Sequence, residues 1–122
     1  MGLYYNLPVY KASYRLLALL FAASGNFARE YKYTIGQEMK AEGMFLIKNL
    51  YRANKATDKI VAIEEARENL EMIRLQLFLM QDFGQLELKK FVEISLAFEE
   101  ASKQLASWNK YTNMTKAVGI KK

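Results

Sequence analysis

Between residues 60 and 83, Ile63, Ala66, Leu70, Ile73, Leu77 and Met80 recur at alternating intervals of three and four. On a helix of 3.6 residues per turn this spacing collects them into one apolar seam. A seam of that kind must be covered by other helices, so it commits the whole chain to helix packing. The rest of the sequence supplies the covers. Leu7-Pro8 opens a first helix, since proline suits the first turn, where its missing N–H has no partner. That helix carries two apolar lines, Val9, Ser13, Leu16, Leu20 and Tyr10, Tyr14, Leu17, Phe21, and ends at Ser24-Gly25-Asn26 with Gly25 as a left-handed cap. A second helix over 33–54 turns Ile35, Met39, Phe45, Leu46, Leu50 and Ala53 inward, and Gly36 and Gly43 make it dependent on packing. Thr57 or Asp58 caps the third helix, over 59–83, and Gly84 stops it. A fourth over 87–111 places Leu88, Phe91, Ser95, Phe98, Ser102 and Leu105 inward. Short connections make neighbours antiparallel. The fold class is therefore all-α, an antiparallel up-down-up-down four-helix bundle. Residues 1–111 form the domain, and 112–122 form a basic, aperiodic C-terminal tail.

The chain has no cysteine and no histidine. This removes disulfides, the usual zinc sites and the usual nucleophile–base pairs, and suits a reducing cytoplasm. Glu64, Glu65, Glu68, Glu71 and Asp82 suggest a carboxylate site, but di-metal bundles need Glu-x-x-His pairs. The acidic run reads instead as a complement to the helix N-terminus. No catalytic residue, metal or cofactor is assigned. "LLALLFAA", residues 16–23, imitates a secretory core. It is short, and the helical period begins before it. No apolar run nears the roughly 18–20 residues of a membrane span.

The net charge of +5 is segregated. Residues 1–59 hold nine Lys/Arg against four Asp/Glu, net +5; residues 60–109 hold five against nine, net −4; residues 110–122 add +4. Lys48, Arg52, Lys55 and Lys59 follow one another at intervals of four, three and four, one stripe if helical. No acidic residue three or four positions away relieves Lys48 or Arg52. Such a stripe is either a solvated face or a phosphate-binding surface. "REYKY", residues 29–33, interleaves Arg29 and Lys32 with aromatics, a pattern that suits unpaired bases. Its alternative role is a loop whose tyrosines close the bundle end, with Tyr33 or Ile35 in the core. The bundle also has more apolar surface than its seams require: Tyr10 and Tyr14 on the first helix, and Leu75, Phe78 and Leu79 on the third. This surplus predicts a partner or self-association face.

"LPVYKASYRLLALLF", "NFAREYKYTIGQEMK", "IKNLYRAN", "EEARENLEMIRLQLFLMQDFG" and "ASKQLASWNK" follow in order over residues 7–109. Together they resemble the accessory variability determinants of diversity-generating retroelements, which group with the four-helix proteins encoded in intervening sequences of 23S ribosomal RNA genes. The resemblance implies a non-catalytic bundle assembled as a pentameric ring. It implies binding to nucleic acid, template RNA or cDNA, and association with the element's reverse transcriptase. That complex copies RNA into mutagenised cDNA. The alternative is a structural or protein-interaction bundle of the ribosomal intervening-sequence type, without nucleic-acid activity of its own.

Overall fold

All six seam residues are buried in the computed structural model, which describes residues 4–117. A 3-10 turn, Tyr4–Asn6, leads into α1 (Pro8–Ser24). The chain continues through a one-turn α2 (Arg29–Lys32), α3 (Ile35–Lys55), α4 (Ile60–Asp82) and α5 (Leu88–Ala117). Both α1 and α4 pack against α3 and α5, so α1 and α4 stand at opposite corners. Cross-helix pairs fix the directions. Leu17 and Ser24 of α1 lie near Gly43 and Gly36 of α3. Phe78 and Arg74 of α4 meet Phe91 and Phe98 of α5. Each later residue meets an earlier one, which makes neighbours antiparallel and the four long helices an up-down-up-down bundle.

On α1, Val9, Ser13, Leu16 and Leu20 point into the core, and the parallel line Tyr10, Tyr14, Leu17, Phe21 forms its flank. A Cβ on Gly43 would sit 2.6 Å from Cδ1 at the free end of Leu17, which would have to turn aside to admit it. The end of α4 is a Schellman turn. Gly84, at φ +74°, donates its N–H to Gln81 O, and Gln85 N–H reaches Met80 O at 2.8 Å. The N-cap of α4 is Lys59 rather than Thr57 or Asp58, and Asp58, one residue earlier, accepts the Ile60 N–H on Oδ1 at 3.1 Å.

Several expectations are corrected. Gly25 is right-handed, φ −64°, because the chain leaves α1 through i to i+3 turns that bury Phe27. Phe45 is 52% exposed, since it lies a quarter turn from Leu46, which takes the core position. On α5 the buried set is Ile94, Ala97, Phe98, Ala101 and Leu105. Leu88 is 69% exposed, and Phe91, Ser95 and Ser102 are half-buried on the shoulder towards α4. The helix is rotated so that two alanines, Ala97 and Ala101, face inward. Tyr33 is exposed, whereas Ile35 packs on the core. Residues 29–32 form a helical turn rather than a loop. The final helix continues past Tyr111 to Ala117, so the expected tail begins within it, and residues 118–122 lie outside the described part.

Candidate nucleic-acid interface

The outward side of α3 is built by the period that builds its core. With Met39, Leu46, Leu50 and Ala53 buried, the opposite side falls to Lys40, Met44, Lys48, Tyr51 and Lys55. Lys48 is exposed and has no ion pair among the described residues. Lys55 Nζ lies 5.0 Å from the centre of the Tyr51 ring and 3.5 Å from its hydroxyl. Lys40, outside the four-three-four stripe, places Nζ 5.3 Å from the Phe21 ring centre on α1. Its position eight residues before Lys48 was the available signal.

Arg52 has a different setting. It leans towards α4, pairs with Glu65 at 3.5 Å and donates to Asn49 Oδ1 at 3.3 Å. Asn49 in turn donates to Asn69 Oδ1 at 2.8 Å, and Asn69 donates to Glu42 Oε2 at 2.7 Å. This polar ladder between α3 and α4 relieves Arg52 across the interface, which no count along one helix can detect. Both carboxylates turn towards α4, leaving the outer line of lysines unopposed by Glu42 and Glu65.

Lys59 does not continue the stripe. Its half-buried Nζ donates to the carbonyls of Ala53, Asn54 and Ala56 at 2.9, 3.1 and 3.2 Å. It thereby satisfies the open C-terminal end of α3. The four-three-four rhythm spans a turn that redirects the last cation inward. Arg29 and Lys32 sit at the opposite end of α3 from Lys55, about 30 Å away at about 1.5 Å per residue. Lys32 Nζ is 5.7 Å from the Tyr33 ring centre. Tyr31 stacks on Phe83 at 5.6 Å, and its phenol pKa is raised by a hydrogen bond to the Glu30 carboxylate, by burial and by that carboxylate's charge. The backbone N–H of Ala28 donates to Gln85 Oε1 at 2.7 Å, fastening this corner to the α4–α5 turn.

The apolar candidates divide between opposite corners. Tyr10 and Tyr14 are stacked, centroids 6.1 Å apart, on α1. Leu75, 51% exposed, and Phe78, 49% exposed, lie on α4 with half-buried Leu79. Phe78 reaches Phe91 of α5 at 5.9 Å, and exposed Val92 and Leu88 extend the apolar surface along α5. The N-terminal half of the α4 exterior is acidic. Glu64, Glu68 and Glu71 line a shallow groove of about 320 Å³ with Arg67, Met72 and Leu75. The two sides of the bundle therefore differ in sign.

Among the described residues no group of three or more acidic, His or Cys side chains converges on a metal-sized point. No described helix is long and apolar enough to cross a membrane. No curated protein sequence matches the chain. A family model described as bAvd-like matches residues 9–112, which takes in every core helix from the second residue of α1. With the helical bundle and the match over most of its length, the chain belongs to the bAvd-like family.

Proposed function

We propose that this chain is a non-catalytic accessory subunit of a diversity-generating retroelement, working in the cytoplasm beside the element's reverse transcriptase. Family membership supports the accessory role. The observation that carries the nucleic-acid part is the separation of charge: lysines along α3, acids on the outside of α4. Lys48, Arg52 and Lys55, with Arg29 and Lys32 at the far end, engage phosphates of template RNA or cDNA. Lys59 is left to the α3 terminus. Leu75, Phe78 and Leu79 on one corner, and Tyr10 and Tyr14 on the other, are the contact surfaces for the polymerase or for neighbouring copies. Using different corners on successive copies is a head-to-tail arrangement, the kind that closes into a ring such as a pentamer.

The test is a salt titration of RNA and duplex binding by fluorescence anisotropy. With about five phosphates engaged per protomer, the duplex log–log slope is about −4.5, a loss of several hundred-fold between about 50 and 200 mM salt. Changing Lys48 and Lys55 to Glu removes most of the binding and leaves the helical melt in place, Arg52 being kept for its pairing with Glu65 and Asn49. A flat salt response, or unchanged binding by that variant, contradicts the reading and favours a purely protein-interacting bundle.

A further inference from the structure

Three lysine–aromatic pairs mark the α3 side of the bundle: Lys32 over Tyr33, Lys40 over Phe21 and Lys55 over Tyr51, at 5.7, 5.3 and 5.0 Å. The rings are large apolar groups left 60%, 46% and 44% exposed. Tyr33 precedes the start of α3, Lys40 lies in its first half and Tyr51 near its end. From Lys40 to Tyr51 the helix rises about 16 Å. Aromatic surface and positive charge therefore lie side by side at three places, each ring within reach of an ammonium group. The neighbouring exterior of α4 also shows apolar side chains, but there the company is Glu64, Glu68 and Glu71.

A duplex uses the lysines and ignores the rings, because its bases are already stacked on one another. An unpaired strand uses both. A phosphate held at a lysine brings the adjoining base to the neighbouring ring face, and every base has a face to stack. We propose that the α3 side of this protein is a platform for single-stranded nucleic acid, with Tyr33, Phe21 and Tyr51 as stacking surfaces and Lys32, Lys40, Lys48 and Lys55 as phosphate contacts. The proposal rests on the nucleic-acid reading above and specifies the form of strand it takes. Positive charge selects a polyanion over an apolar protein surface on this side. Exposed rings beside those cations select an open strand over a closed helix, whose bases are already stacked.

The experiment compares a single-stranded RNA of about ten nucleotides, within the usual range of site sizes, with a hairpin duplex, at one fixed salt concentration. Wild-type protein is set beside Tyr33→Leu with Tyr51→Leu, which keeps every cation. Both rings face solvent, so the variant folds. Tyr51→Leu alone repeats the comparison if the pair lowers the helical melt. The expected result is tighter binding of the single strand by wild type. The variant loses about tenfold or more on that strand and little on the duplex. Equal affinity for both forms with no effect of the leucines overturns the platform while leaving the phosphate-binding reading intact. No binding of either probe overturns that reading and the platform with it. A fall in assembly mass without loss of single-strand affinity also overturns the platform, and assigns these rings to contact between copies.

Discussion

Asn69 shows how much a single buried polar residue can decide in this bundle. It accepts from Asn49 and donates to Glu42, so truncating it strands two partners at the α3–α4 seam. Asn69→Ala is predicted to lower unfolding free energy by about 1–3 kcal/mol in urea denaturation. Replacing Asn49 and Asn69 together by Leu removes both interior amides and costs less; a larger loss in the double variant contradicts this account of the pair. Glu93 offers a residue-scale test in pH. The Lys90 ammonium, 2.9 Å away, holds its carboxyl below the ordinary glutamate range by hydrogen bond and charge, with Arg15 and Lys89 helping and burial opposing. A depressed folded value means the ionised form is favoured by folding. The resulting stability is present above the unfolded pKa and fades as pH falls through the folded one. Carboxyl NMR titration is predicted to place the Glu93 midpoint low and Lys90→Met to move it up; an unmoved midpoint contradicts the assigned cause.

At the scale of elements, what was legible in the sequence depended on how far each signal reached. The α4 seam was legible because six residues agree on one stripe, and the α1 start because proline marks it. The rotation of α5 was not. Leu88, Phe91, Ser95 and Ser102 keep helical spacing as well as Ile94, Ala97 and Ala101 do, so spacing alone does not choose between the two faces. Gly84 at the α4 end was read correctly and Gly25 at the α1 end was not. The first completes a Schellman turn, whereas the second precedes a buried Phe27 whose packing sets the path. In the candidate site, Lys48 and Lys55 fall where periodicity placed them. Lys59 and Arg52 were diverted by partners on another segment, invisible to local spacing. Lys59 yields a prediction: Lys59→Met uncaps α3 and lowers stability by about 1–2 kcal/mol. RNA affinity changes little, unlike the effect of Lys48→Glu. A variant that keeps its melting temperature and loses RNA instead returns Lys59 to the stripe.

Over the whole molecule, the bundle divides its labour by sides. α3 carries cations and aromatic rings, the exterior of α4 carries acids and then Leu75 and Phe78, and α1 brings Tyr10 and Tyr14 to the far corner from α4. Half-exposed side chains of this size at two corners support association between copies. Light scattering at micromolar concentration is predicted to give an assembly mass, reduced by Leu75→Lys with Phe78→Lys while the helical spectrum persists. A wild-type mass of one chain contradicts the assembly. Lysine acetylation footprinting by mass spectrometry reads directly which side meets the proposed nucleic acid. With single-stranded RNA bound, Lys40, Lys48 and Lys55 are predicted to be protected, and Lys89 and Lys103 on α5 to react as in the free protein. Protection confined to α5, or spread evenly over all five, would contradict it.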